Sequence, residues 1–143
     1  MNRGANPAKA IPHSTVFFDV AVLGNTSSAP TIPADGPVSA AVSTFPLGAN
    51  GVDKSTAGAP THSSTGIITV TYAHQLASVV PVGVTVMSGG GSPTTALYAI
   101  ISSIVPATRV VTLRIYTPAG TLTDPGVNDL IVISLKGYDT TKP

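Results

Sequence analysis

Residues 109–117 read RVVTLRIYT. In an extended chain Val111, Leu113 and Ile115 fall on one side, and Thr112, Arg114 and Tyr116 fall on the other. A period of two is the mark of a strand with one face in a core and one face outside it. The pattern recurs on both sides of this segment. Residues 66–73 (GIITVTYA) align Ile68, Val70 and Tyr72, and residues 129–138 (DLIVISLKGY) align Ile131, Ile133 and Leu135. Residues 15–23 (TVFFDVAVL) align Val16, Phe18, Val20 and Val22, with Asp19 on the opposite face. Residues 79–88 (VVPVGVTVMS) align Val82, Val84 and Val86, and Pro81, which has no N–H to give, marks an edge strand or a strand start. Residues 95–104 (TALYAIISSI) are apolar on both faces, which reads as a strand covered on both sides. A weaker strand at 38–45 aligns Val38, Ala40 and Val42.

Turn formers separate these runs. Long loops are expected at 24–37 and 46–65, both rich in Gly, Pro and Ser, with shorter ones at 89–93, 105–108 and 118–120. Asp124-Pro125-Gly126 reads as a turn, because Pro fixes φ and Gly permits a positive one. Residues 74–78 have the one mildly helical composition and are expected to make a short turn at most. Residues 1–14 show no periodicity and read as an extended arm, with a reach of at most roughly 45 Å. The expected architecture is all-β: one antiparallel β-sandwich or jelly roll of about seven or eight strands over residues 15–143, preceded by the arm.

Composition agrees and narrows the function. The 143 residues include no Cys, no Trp and no Glu, and 9% are charged, with a net charge of +1. An ordinary soluble domain carries about 25% charged residues. Without Cys there is no disulfide scaffold, thiol nucleophile or Cys-based metal site. A charge of +1 gives no general attraction to nucleic acid. No run of 18 apolar residues occurs, so no membrane span is expected, and the opening MNRGANPAKA lacks the apolar stretch of a secretory signal. Low charge combined with a mean hydropathy above zero points to a surface that is covered in an assembly.

Catalytic patterns are thin. His13, His62 and His74 all fall in loop-like or turn-like segments, and His13-Ser14 and His62-Ser63-Ser64 are adjacencies, not a triad. Surface or interface positions are expected for all three. The six Asp (Asp19, Asp35, Asp53, Asp124, Asp129, Asp139) are scattered, without a paired-carboxylate arrangement. Asp124, Asn128 and Asp129 are oxygen-rich, and calcium binding is one reading, but turn chemistry is the expected one because EF-hand spacing and its Glu are missing. Gly89-Gly90-Gly91-Ser92-Pro93 lacks the Lys-Ser/Thr ending of a phosphate loop and reads as a loop tip. Arg109 and Arg114 are expected on opposite faces of one strand; Arg114 shares its face with Tyr116, and the pair reads as stacked, as part of a binding surface or, the expected reading, as ordinary surface filling. Tyr72, Tyr98, Tyr116 and Tyr138 lie in or near strands, a weak pattern for sugar binding. No catalytic, cofactor or metal residues are assigned, and the chain is expected not to be an enzyme.

The segment Ser64-Thr65-Gly66-Ile67-Ile68-Thr69-Val70-Thr71-Tyr72, followed by the Leu76–Val86 run, resembles strands of small tailed-bacteriophage virion proteins. Arg109–Ile115, Ala119-Gly120, Asp124-Pro125, Ile131–Leu135 and the upstream Val16–Val20 strand fit the same order, covering about residues 11–138. The resemblance lies in scaffold and turn patterns, so no functional residue carries over. It implies a capsid decoration or cement protein on the phage head, a homo-oligomer, often a trimer, in contact with the major capsid protein. The alternative within the same group is a fibre or receptor-binding tip module, lectin-like in action.

Overall fold

The alternation read at 110–116 becomes alternating burial in the computed structural model, which describes residues 14–32, 34–35, 44–45, 58–88 and 96–139. Val111, Leu113 and Ile115 are fully buried, while Arg114 between them is exposed. Nine strands follow in chain order: β1 (Ser14–Leu23), β2 (Ala34–Asp35), β3 (Thr44–Phe45), β4 (Thr61–Ser64), β5 (Ile67–Thr71), β6 (Ser78–Met87), β7 (Tyr98–Val105), β8 (Val110–Tyr116) and β9 (Leu130–Asp139). Seven of them build two antiparallel sheets, ordered β1-β9-β6 and β4-β5-β8-β7. The remaining two, β2 and β3, form a short parallel pair.

The two sheets face each other across one core. Val20, Val22, Val79, Ile131, Ile133 and Leu135 come from the three-stranded sheet, and Ile68, Val70, Tyr72, Val111, Leu113 and Ile115 from the four-stranded one. All are 8% exposed or less. The all-β sandwich expected from the sequence is therefore the fold. Its strands cross between sheets at the connections β5–β6, β6–β7 and β8–β9, while β4–β5 and β7–β8 are hairpins within one sheet.

Several local readings change. The segment 46–65 is not all loop, since Thr61–Ser64 pairs with β5. The aligned set Val82, Val84, Val86 is broken by a bulge: Pro81 opposes Leu135 and Gly83 opposes Ser134, so Val82 is the extra residue. An extra residue re-aims the side chains that follow it. Val84 and Val86 consequently pack on the core, while Val82 is 59% exposed. β6 is an edge strand, as Pro81 implied. β7 is also an edge strand, with Tyr98, Ile100 and Val105 each 44–45% exposed, so the described chain does not cover it on both sides. Residues 74–76 form no helical turn; Leu76 instead packs against the core beneath Gly137. A Cβ on Gly137 would collide with Leu76 Cδ1, so the absence of a side chain there makes room for Leu76. Asp124-Pro125-Gly126 is not the turn; it lies two residues on, where Asp129 N–H donates to Gly126 O and Asn128, not Gly126, takes the positive φ of 63°. Arg109 closes the β7–β8 hairpin at φ 61°, and β8 begins after it.

Residues 1–13 of the arm, most of the weak strand at 38–45 and the 89–93 loop lie outside the described residues, while Ser14, read as the arm's last residue, opens β1.

Candidate interaction surface

Each sheet turns its second face outward, and the register says which side chains meet there. On the three-stranded sheet Phe17 of β1, Lys136 of β9 and Val80 of β6 are direct cross-strand neighbours. The Lys136 ammonium lies 5.4 Å from the centre of the Phe17 ring and 5.2 Å from that of Tyr138. A cation over aromatic faces is attracted by the ring quadrupole while its alkyl stem covers apolar surface. Phe17 remains 69% exposed, with Val80, Val82 and Met87 at 42–59%. Asp19 sits beside them and accepts from Ser134 Oγ at 2.7 Å. Further along the same face Ala21, Leu23 and Leu130 are buried in a small second cluster.

The four-stranded sheet carries a different face. Thr69, Thr112 and Ser103 stand in one cross-strand row, continued by Thr61, whose hydroxyl bonds that of Thr69. Ile67, Arg114 and Ile100 make the next row, and Tyr116 and Tyr98 the one after. The two Tyr rings stack, centroids 5.4 Å apart and planes 18° from parallel. The ring partner of Tyr116 is thus Tyr98 across the strands.

The residues singled out for chemistry do not gather. His13 lies outside the described residues. His74 is exposed on the β5–β6 connection, its ring 4.8 Å from that of Phe18. His62 turns away from Ser63 and Ser64: its Nε2 lies 2.8 Å from Asp124 Oδ1. An ionised carboxylate can only accept, so Nε2 is the donor. The same Oδ1 accepts from Gly66 N–H at 2.7 Å. Asp124 therefore clasps the β4–β5 hairpin to the strand that leads out of β8. Burial works against its ionisation, but the Gly66 N–H, then the hydrogen bond and charge of His62, outweigh burial and hold its pKa below the ordinary carboxylate value. Asp129 is used differently, accepting from Gly126 N–H at 2.7 Å inside its own turn. Among the described residues no three His, Cys, Asp or Glu side chains converge as a metal site.

The two arginines also separate. Arg109 Nη1 donates to the carbonyls of Tyr72 and Ala73 at 3.3 and 3.2 Å and caps the end of β5, whereas Arg114 stands exposed on the outer face. Tyr72 is a core residue whose buried hydroxyl finds no partner among the described residues; burial raises its pKa, with the Arg109 charge opposing.

Sequence reasoning did not find the His62–Asp124 clasp. The two residues are 62 positions apart, and the four residues of β4 are polar and mostly exposed, so no periodicity marks them. Comparison of the chain with family models, with curated proteins and with solved structures finds no match in any of the three. The described geometry offers exposed ring faces, β-branched rows and open strand edges.

Proposed function

We infer that the chain is a structural virion protein of a tailed bacteriophage, a capsid decoration or cement protein that binds across major capsid subunits. The observation that carries this reading is the exposure of large apolar side chains on both outer faces: Phe17, Val80, Val82 and Met87 on one, Tyr98, Ile100 and Val105 on the other. A chain with 9% charged residues has little charged surface to screen such patches, and extended apolar patches mark interaction sites. Covering them yields about 25 cal/mol per Å² of apolar surface, before the entropy of association is subtracted. The strand pattern shared with small phage virion proteins supports the setting.

The stacked Tyr98–Tyr116 pair beside exposed Arg114 favours a second reading, a fibre-tip module that stacks sugar rings. Gold-labelled antibody on intact particles separates the two. Label distributed over heads, together with added protein raising the temperature at which heads lose DNA, is the expected result. Label confined to fibre tips, with purified protein binding host cells, overturns the decoration reading.

A further inference from the structure

The four sheet edges are finished differently. β4 is four residues long, and its register slips between His62 and Ser64. β6 contains Pro81 and slips between Pro81 and Gly83. β7 slips between Ile101 and Ser103. Short strands, prolines and bulges are the devices that keep an open edge from recruiting another strand. β1 has none of them. Its ten residues run in unbroken one-to-one register with β9.

The bonds at the end of β1 establish which groups face outward. Leu23 exchanges two backbone hydrogen bonds with Thr31, at 2.8 and 2.9 Å, while the next N–H, that of Gly24, goes to Asp129 O on the β9 side. Peptide groups alternate sides along an antiparallel strand. Thr15, Phe17 and Asp19 therefore turn their N–H and C=O groups away from β9. All three residues are exposed, whereas Ala21 is buried. Among the described residues no strand pairs with this stretch of edge.

We propose that this edge pairs antiparallel with the same edge of a second copy of the chain, about a two-fold axis at Phe17. Phe17 then faces Phe17 of the second copy, and each Thr15 faces an Asp19. These are three hydrogen-bonded pairs, each exchanging two N–H···O bonds. A register centred on Asp19 sets two carboxylates opposite each other, which is unfavourable. A register centred on Thr15 leaves Phe17, the most exposed of the large apolar side chains, without a cross-strand partner from β1. The Phe17 register joins the two rings as an aromatic pair, with a Lys136 flanking each from its own β9. Two three-stranded sheets become one of six strands. This pairing goes beyond the virion reading and does not depend on it.

The chain has no cysteine, so an introduced thiol is unique. Opposed residues of a hydrogen-bonded pair have Cα atoms about 5.5 Å apart, within disulfide range. Under mild oxidation Phe17→Cys is expected to become a covalent dimer. Thr15→Cys and Asp19→Cys are expected to cross-link when mixed, and each by itself no faster than the exposed-loop control Ser27→Cys. Sedimentation equilibrium of the wild type is expected to read two chains. Phe17→Pro removes one outward N–H and leaves the β9 bonds in place; it is expected to give a folded monomer, and Phe17→Lys serves as the second variant if the proline perturbs folding. A wild-type mass of one or three chains, or Phe17→Cys cross-linking no faster than Ser27→Cys, overturns the proposal.

Discussion

Removing the Asp124 carboxylate should loosen one side of the sandwich by an amount the structure allows to be worked out. Oδ1 holds two donors, Gly66 N–H at 2.7 Å and His62 Nε2 at 2.8 Å. Gly66 is buried and its bond to Asp124 is part-buried, so in Asp124→Ala its N–H loses its partner where little water can replace it. A buried donor left unpaired costs about 1–3 kcal/mol, and a hydrogen bond to a charged group contributes about 1.5–3 kcal/mol. The His62 and Asp124 side chains are 13% and 20% exposed, so water screens part of the second interaction, and its share falls to about 1 kcal/mol. Asp124→Ala should therefore destabilise by about 2–4 kcal/mol. His62→Ala should cost about 1 kcal/mol, and Asp124→Asn, which keeps an acceptor for Gly66, an intermediate amount. With a urea m-value of about 2 kcal/mol/M, the Asp124→Ala midpoint should drop by about 1–2 M.

The pH dependence supplies the second arm. The Asp124 pKa is lower in the folded chain than its ordinary value of 3.8. Between those two values the unfolded chain binds the proton and the folded one does not, so stability rises with pH there. The contribution is fully present above pH 3.8 and is lost as pH falls through the folded value. The gap between wild type and Asp124→Asn should accordingly shrink below about pH 4. Urea titrations at pH 7, 5, 4 and 3 measure it. An Asp124→Ala midpoint within 0.2 M of wild type at pH 7, or a wild-type to Asn gap that does not shrink in acid, would refute the clasp.

Four further substitutions probe the packing. Gly66→Ala should be the most damaging: Gly66 has φ +70°, and its Cβ would meet Ile115 O at 2.8 Å and Thr123 N at 2.9 Å, both backbone atoms that cannot rotate aside; a loss above about 3 kcal/mol is expected by urea denaturation. Gly137→Ala drives a methyl into Leu76, whose terminal Cδ1 can move, so about 1–3 kcal/mol is expected, and the costs of Gly137→Ala and Leu76→Ala should be less than additive in the double variant. Tyr72→Phe removes a buried hydroxyl that has no partner among the described residues and should leave the thermal midpoint unchanged or raise it, whereas a drop of several degrees would show that the hydroxyl is hydrogen-bonded.

The strands that showed plainly in the sequence share a physical situation. β1, β5, β8 and β9 each have one face against the opposite sheet, so burial writes a period of two into Val20 and Val22, Ile68 and Val70, Val111 and Leu113, Ile131 and Ile133. Where that one-sided burial fails, the reading fails too. β4 buries little and leaves no pattern. Val82 looked inward because a bulge has no local signature; only its register against Leu135 and Ser134 shows it as the extra residue. Asp124 looked like a turn former because its type fits turns, while its partners, His62 and Gly66, arrive from a hairpin about 60 residues earlier in the chain. The outward faces were legible as side-chain rows, but the pairing of Tyr116 with Tyr98 depends on which strands lie side by side.

The failure at β7 is of another kind. Its sequence, apolar on both faces, reads as a strand between two covers, yet the described chain supplies one. Ala99, Ile101 and Ile104 pack on the core, whereas Tyr98, Ile100 and Val105 face outward, each more than two-fifths exposed. Selection for the fold by itself asks nothing apolar of those outward positions, where Thr and Ser serve equally well, as Thr112 and Ser103 do beside them. The same holds for Phe17, Val80 and Met87 on the other sheet. Bulges and a proline guard the edges of β6 and β7, so their outward apolar side chains suit cover laid over a face rather than strands added at an edge. β1 reverses the arrangement, with an unguarded edge beside the most exposed of the large apolar residues. On the pairing proposed above, β1 and Phe17 serve a second copy while Val80, Met87, Tyr98, Ile100 and Val105 stay open to a different partner, so substitutions at those five positions test attachment apart from self-association.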